Sequence, residues 1–139
     1  MSYSETIIAR FKENGLKITP QRLAILKFLE GNRSHPTAED IFHTLKGQYP
    51  NLSFTTVYNI LNSIKEVGGI QELLIDRVRA HYDPDTSPHH HIICTRCGRL
   101  MDVFYRETAP PQVPEEVREE FEVTGHQINF FGICRECAG

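Results

Sequence analysis

The four cysteines of this 139-residue chain form two Cys-x-x-Cys pairs, Cys94/Cys97 and Cys134/Cys137. Structural zinc is bound tetrahedrally, and four thiolates at about 2.3 Å, delivered as two close pairs, are a common ligand set. The spacing therefore predicts a zinc site that ties the first pair to the end of the chain. A redox dithiol is the alternative, since the thiols of such motifs can have lowered pKa values. That alternative does not require a second matching pair.

Histidine and aspartate side chains crowd around the first cysteine pair. His89 and His91 alternate with His90, so in an extended segment they point to one face. Asp83 lies six residues before His89, and Asp102 lies on the next predicted strand. Nitrogen and oxygen donors suit a harder metal than thiolates do. The pattern therefore indicates a second metal site beside the sulfur site.

His35, in the loop before the third predicted helix, is a further candidate for this second site. Taken singly, His35 is readable as a loop surface residue, His90 as solvent-exposed and Asp102 as a turn acid. Taken together, His35, His89, His91 and the two aspartates make a set of three imidazoles and two carboxylates. Such a set suits Fe²⁺, Mn²⁺ or Zn²⁺ and leaves a sixth position open.

Helices that must position His35 fill the first half of the chain. Cap residues followed by apolar residues at helical spacing predict four of them. Two short extended runs around Asp76-Arg77 then predict a hairpin, and helices followed by a hairpin predict a winged helix-turn-helix. The predicted bounds are Ser4 to Asn14, Thr19-Pro20 to Gly31, Thr37 to Pro50, Ser53 to Gly68-Gly69, and the extended runs 70–75 and 78–82.

The second half predicts a small α/β domain stapled by zinc. Residues 91–94, 100–104 and 123–133 resemble strands, and residues 114–121 resemble a helix. The fold class is therefore α+β, with a winged-helix DNA-binding domain over 1–82, a hinge over 83–90, and a dimerisation and zinc-binding domain over 91–139.

The balance of charged residues also differs between the two halves of the chain. Residues 1–82 carry ten Lys and Arg against eight Asp and Glu, and residues 83–139 carry five against ten. A mildly basic module joined to an acidic one permits nucleic-acid binding by the first, although ordinary variation in surface charge gives the same split.

With no apolar run of about 18 residues and no secretory signal, we expect a cytoplasmic protein whose thiols stay reduced.

The fourth predicted helix has a polar face with little charge. Short polar side chains near a helix N-terminus can hydrogen-bond base edges, and basic residues elsewhere can meet phosphates. A plain amphipathic helix with a polar surface is the alternative. The predicted DNA-contacting residues are Arg10, Lys17, Arg22, Ser53, Thr55, Thr56, Tyr58 and Asn59.

Over nearly its whole length the chain resembles repressors of the ferric uptake regulator (Fur) superfamily. The matching segments are 16–22, 35–38, 56–58, 89–98 and 134–137. The resemblance implies a winged-helix domain that reads double-stranded operator DNA and a C-terminal domain that forms a homodimer. It implies structural zinc on Cys94, Cys97, Cys134 and Cys137. It implies a regulatory Fe²⁺ or Mn²⁺ on His35, Asp83, His89, His91 and Asp102.

Aspartate at positions 83 and 102 resembles the peroxide-responsive branch of the superfamily, because iron-sensing members typically have glutamate there. The resemblance implies that bound iron reacts with peroxide and that His35 or His89 is oxidised. A further site seen in many members would use a histidine where Pro88 stands and an acid where His90 stands, so we interpret His126 as structural.

Three other functions remain open at this point. An iron-responsive repressor that does not sense peroxide is the nearest. A non-haem iron metalloenzyme using two histidines and a carboxylate is a different class, but no substrate pocket is readable and a polar recognition helix would lack a purpose. A zinc-stapled interaction module is the third. No catalytic residue is predicted.

Overall fold

The computed structural model describes residues 1–106, 109 and 111–139. Its described residues fall into two compact units, Met1–Ser87 and Pro88–Gly139. Three residues of the predicted 91–139 domain, Glu107, Thr108 and Pro110, lie outside the described residues. None of the helices within these described ranges is long and apolar enough to cross a membrane.

The first unit is built from four helices and a short two-stranded sheet. The helices are α1 (Tyr3–Glu13), α2 (Pro20–Leu29), α3 (Ala38–Leu45) and α4 (Phe54–Glu66), and the strands are β1 (Gln71–Leu73) and β2 (His81–Asp83). Fifteen buried side chains from all four helices and the sheet form one core. This core is the rigid base that carries the loop containing His35 and the strand ending in Asp83.

The helix starts follow from their cap residues. Thr19 and Ser53 accept hydrogen bonds from the amides of Arg22 and Thr56, and Thr37 forms a capping box with Asp40. The predicted start of α1 at Ser4 is wrong. Ser2 caps this helix in a capping box with Glu5, and such a reciprocal pair satisfies two backbone donors that a helix end leaves open.

The hairpin is shorter than predicted. β1 pairs antiparallel with β2 in a register that places Gln71 opposite Asp83 and Leu73 opposite His81. Residues 74–80 form the connection, and Asp76 accepts the amide of Val78 there. Local side-chain bonds in this loop compete with strand pairing, which explains the difference from the predicted runs 70–75 and 78–82.

The second unit is a three-stranded sheet with two short helices. Its strands are β3 (His90–Cys94), β4 (Leu100–Val103) and β5 (Asn129–Gly132), and its helices are α5 (Glu115–Glu120) and α6 (Arg135–Ala138). β3 lies in the centre, antiparallel to β4 and parallel to β5. β5 is much shorter than the predicted strand 123–133 because its partner β3 offers pairing positions only from His91 to Cys94.

Candidate metal centres and nucleic-acid interface

The four cysteines converge at one end of the three-stranded sheet. Cys94 ends β3, Cys97 lies in the turn closed by Gly98 (φ 79°), and Cys134 and Cys137 lie at the start and within α6. Their sulfur atoms all lie within 4.8 Å of one another, and Cys97 Sγ is 3.8 Å from Cys134 Sγ. A tetrahedron with Zn–S bonds of about 2.3 Å has sulfur–sulfur edges of about 3.8 Å. The cluster therefore fits zinc in both ligand type and spacing.

Backbone donors already favour the thiolate form at one sulfur. The amides of Cys134 and Cys97 lie 3.3 Å and 3.5 Å from Cys94 Sγ. These hydrogen bonds lower the pKa of Cys94 to about 6, whereas the neighbouring thiols, Cys134 first, raise the pKa of Cys137 to about 12. Four sulfurs this close cannot all ionise unaided, because like charges at such distances oppose one another. A divalent cation removes that opposition.

Hydrogen bonds to main-chain carbonyls hold the cluster in place. The Thr95 amide donates to Gly132 O at 2.8 Å, and the Arg96 guanidinium donates to Cys137 O at 2.9 Å. Together with the parallel pairing of β3 and β5, these contacts join the two cysteine pairs across the sheet.

In the first unit, His35 and Asp83 form a buried imidazole–carboxylate pair. His35 Nε2 lies 3.5 Å from Asp83 Oδ2, and both side chains are at most 2% exposed. His35 has a φ of 54°, and it is the one non-glycine residue with positive φ among the described residues. Asp83 also accepts the amide of Asp85 at 2.9 Å through Oδ1. A histidine and an aspartate from separate segments thus meet in the buried interior of this unit.

In the second unit, two histidines converge on one carboxylate oxygen. His91 lies opposite Asp102 in the β3–β4 register. Asp102 Oδ1 is 2.9 Å from His89 Nε2 and 3.4 Å from His91 Nε2, and neither histidine side chain is exposed. The amide nitrogen of Gln127 lies 3.0 Å from His91 Nδ1, which directs the Nε2 side of that ring towards Asp102. Two imidazole nitrogens and a carboxylate fit Fe²⁺ or Mn²⁺ in ligand type.

His90 is not solvent-exposed, so that interpretation of the sequence is wrong. Its residue exposure is 9%, and its Nδ1 accepts the amide of Ile128 at 3.0 Å. Its ring lies 5.0 Å from Tyr105 and 5.9 Å, nearly parallel, from His126, measured between ring centroids. Because strand side chains alternate, His90 occupies the opposite side of β3 from His91.

The residues predicted to contact DNA all lie on the first unit. Thr55, Tyr58 and Asn59 are exposed on α4, and Thr56 is half-buried. An open groove of about 430 Å³ runs between this helix and the start of α2. Its polar lining comprises Lys17, Thr19, Gln21, Arg22, Thr56, Asn59 and Ser63.

Three of these residues also have structural contacts. Ser53 caps α4. Arg10 Nη1 donates to Val67 O and Gly68 O at the end of that helix, at 3.1 Å and 3.2 Å. The Arg22 guanidinium donates to Lys17 O. Cations at a helix C-terminus are stabilising, so Arg10 contributes to the fold of this unit whatever else it binds.

Two positions escaped the sequence analysis. His81 donates to the backbone of His35 and contacts Asp76, and Gln127 contacts His91. Their spacing from the predicted ligands carries no periodic or motif signal, because these contacts arise only when distant segments pack together.

Comparison with known proteins places the chain in a family. Residues 13–131 match the ferric uptake regulator family. The peroxide-responsive repressor PerR of Staphylococcus epidermidis is 37% identical over 133 residues, covering 96% of this chain and 89% of that protein. The solved Fur of Helicobacter pylori superposes with a TM-score of 0.76 at 28% identity, covering 98% of this chain and 94% of the other. PerR from Streptococcus pyogenes gives 0.59 at 26% identity, covering 99% and 94%. The chain therefore belongs to the ferric uptake regulator family of metal-responsive regulators.

Proposed function

We propose that the protein is a cytoplasmic, homodimeric transcriptional repressor that binds operator DNA when a regulatory metal is bound and releases it after peroxide. One observation carries this proposal. A buried aspartate in the first unit and a partly buried one in the second face histidines, at 3.5 Å and 2.9 Å, in a chain 37% identical to a peroxide-responsive repressor.

The first unit supplies a winged helix-turn-helix as the DNA-binding module. α3 and α4 form the helix pair, α4 is the recognition helix, and the β1–β2 hairpin is the wing. Phosphates enter the groove beside Lys17 and Arg22, and base edges meet Thr55, Tyr58 and Asn59. Arg10 and Ser53 support the end and the start of the recognition helix.

The second unit supplies the dimer interface. Met101 and Ile133 are each about half exposed, and Phe131, on the opposite face of the sheet from Met101, is 63% exposed. An apolar cavity of about 440 Å³ lies among Ile92, Met101 and Ile133. Apolar surface of this kind on a small domain is typical of a protein–protein interface, and a second copy of the chain is the partner.

The proposed ligands of the regulatory metal are His35, Asp83, His89, His91 and Asp102. Binding of this ion would favour one conformer of the protein and hence one distance between the two recognition helices of a dimer. DNA dictates that distance, so metal binding selects the DNA-competent conformer. A coupling of about 2–3 kcal/mol changes DNA affinity by roughly 30- to 150-fold.

Peroxide acts on the imidazoles of this site. Iron, when bound, supplies the electron transfer that activates peroxide next to its ligands. The ring of His35 or His89 gains one oxygen atom at carbon, its hydrogen moves to nitrogen, and the second peroxide oxygen leaves as water. The oxidised ring is a poorer donor, so the regulatory metal is released and the repressor leaves DNA.

In vitro selection of duplex DNA on the Mn²⁺-loaded protein would first define an operator. Fluorescence anisotropy on that operator then compares the Fe²⁺ and Mn²⁺ forms before and after one equivalent of peroxide. We expect loss of binding from the Fe²⁺ form alone, with one added oxygen on a peptide containing His35 or His89. Asp102→Glu should keep metal-dependent binding and blunt the oxidation, and Glu119→Asp, an equally small change on the exposed α5, should behave as wild type.

An iron-responsive repressor without peroxide sensing is the second candidate, because the chain superposes with Helicobacter pylori Fur at the higher TM-score of 0.76. The same experiment separates the two. Metal-dependent operator binding with unmodified histidines after peroxide would establish the iron-responsive repressor. Operator binding independent of Fe²⁺ and Mn²⁺ would overturn both.

A further inference from the structure

The backbone of His35 is held in an uncommon conformation. Its φ of 54° lies in the left-handed region, which a non-glycine residue rarely occupies and which persists only where the surroundings impose it. Pro36 follows, and a proline disfavours several conformations of the residue before it. Because the His35 side chain faces Asp83, whatever fixes this backbone also fixes the imidazole.

His81 provides that restraint. Its Nδ1 lies 2.6 Å from the carbonyl oxygen of His35, and a carbonyl can only accept, so Nδ1 carries a proton and donates. The bond joins residues 46 positions apart and lies in a partly buried place. Two neighbouring contacts join the same segments of the chain. The Tyr82 amide donates to Pro36 O at 2.9 Å, and Thr37 forms an antiparallel bridge with His81.

Asp76 fixes the other side of the His81 ring. Its Oδ2 lies 2.9 Å from His81 Nε2, and its Oδ1 accepts the Val78 amide at 2.9 Å. The hydrogen bond from His81 lowers the pKa of Asp76, so the carboxylate is ionised and accepts. With both ring nitrogens bonded, the imidazole of His81 cannot turn without breaking one contact. The loop 74–80 is thereby tied to the backbone of His35.

We propose that His81, oriented by Asp76, is a positioning residue that holds His35 in the conformation from which its imidazole can bind the regulatory metal. This inference rests on the function proposed above, in which His35 is a ligand. Partners behind metal-binding histidines orient the ring, and their loss typically weakens metal affinity about 10- to 100-fold. Here the partner acts through the main chain of the ligand.

The same contacts link metal binding to the loop between β1 and β2. Val78, at the tip of this loop, is 84% exposed. Coupling between sites is reciprocal, so an ion that fixes His35 must also restrain the loop that holds it. We therefore expect Mn²⁺ to slow amide exchange in residues 74–80, and Asp76→Asn to diminish that protection.

Two replacements of His81, by asparagine and by glutamine, test separately its hydrogen bond to His35 O and its contact with Asp76. The amide nitrogen of asparagine takes the place of Nδ1 and can still donate to His35 O, whereas that of glutamine takes the place of Nε2 and reaches towards Asp76. His43→Gln, on the exposed face of α3, is the matched control. The measurement is Mn²⁺ affinity by calorimetric titration of the full-length, zinc-loaded protein, with the melting temperature of the Mn²⁺-free form recorded beside it.

We expect His81→Gln to weaken Mn²⁺ binding about tenfold, with a smaller loss in His81→Asn and none in His43→Gln. In the Fe²⁺ form, peroxide should oxidise a smaller share of His35 relative to His89 in His81→Gln. A purely structural role would lower the melting temperature of both His81 variants and leave that ratio unchanged.

Wild-type Mn²⁺ affinity in a folded His81→Gln protein would overturn this inference. If His81→Gln fails to fold, the decision passes to Asp76→Asn, and wild-type affinity and loop protection there would overturn it equally. Failure of the proposed function has a different signature: His35→Ala would then bind Mn²⁺ as tightly as wild type.

Discussion

Replacing Cys134 by serine should unfold the second unit and leave the first intact. Among the described residues of Pro88–Gly139, the buried apolar side chains are Ile93, Cys94 and Leu100. The first unit instead has a core of fifteen buried hydrophobic side chains. A domain of about 50 residues with so small a core depends on another source of stability.

The sizes of the contributions decide the outcome. Complete burial of an isoleucine or leucine contributes about 1.5–3 kcal/mol, so Ile93 and Leu100 together contribute about 3–6 kcal/mol. Structural zinc in small peptides contributes about 10–16 kcal/mol at neutral pH. Zinc is thus the larger contribution, and a site with three thiolates retains only part of it. We expect Cys134→Ser to lose zinc, dimerisation and the ordered β3–β5 pairing together.

Hydrogen exchange read by mass spectrometry would locate the loss. Exchange should accelerate across 90–103 and 129–138, where the Thr95 amide bonds Gly132 O and the Cys94 amide bonds Arg99 O. Amides of α1 to α4 should keep their protection. Zinc content and sedimentation would be measured on the same samples. Thr95→Ser, beside the cluster but outside its ligands, is the control and should resemble wild type.

A zinc-free Cys134→Ser protein that remains dimeric, with wild-type exchange over 129–138, would refute the reasoning. The apolar contacts of the second unit would then suffice without zinc. Chelation of zinc from the wild-type protein should reproduce the variant, and readdition should restore exchange protection in wild type alone.

Three other substitutions test the first unit. Tyr58→Ala should weaken operator binding by about 1–3 kcal/mol without changing metal content or dimerisation, and unchanged operator affinity would move the reading surface elsewhere. Gly69→Ala places a Cβ 2.7 Å from side-chain atoms of both Ile64 and Ile7. Chemical denaturation should therefore show an unfolding free energy lower by about 1–3 kcal/mol. Wild-type stability would mean that the core rearranges to accept the methyl group. Tyr82→Phe should not lower the unfolding free energy, because the buried Tyr82 hydroxyl has no hydrogen-bond partner among the described residues. Burial also raises the pKa of Tyr82 to about 12. A loss of unfolding free energy above about 1 kcal/mol would reveal a partner.

Local sequence signals predicted most helix starts and failed where tertiary pairing decides. Thr19, Thr37 and Ser53 cap their helices as their positions indicate. The error at α1 was avoidable, since Ser2 and Glu5 have the spacing of a capping box. The short β5 was not predictable in this way, because the length of a strand depends on its partner rather than on its own apolar residues.

The candidate sites divide along the same line. Cysteine spacing alone predicts a compact sulfur cluster, since both pairs are local motifs and only their meeting is tertiary. The placement of His35 is different. His35 has a positive φ, its carbonyl accepts a hydrogen bond from His81, and His81 in turn contacts Asp76. No pattern in the sequence indicates any of these three features.

The distribution of ligands also bears on why one metal would be permanent and the other conditional. All four cysteine sulfurs belong to the second unit, whose small core makes the ion part of the fold. Losing zinc therefore means losing structure. The first unit, which contributes the proposed regulatory ligands His35 and Asp83, has a complete core of its own. Losing the regulatory ion should therefore leave the first unit folded. A metal with this role can be gained and lost within the folded protein, as the metal-dependent operator binding proposed above requires.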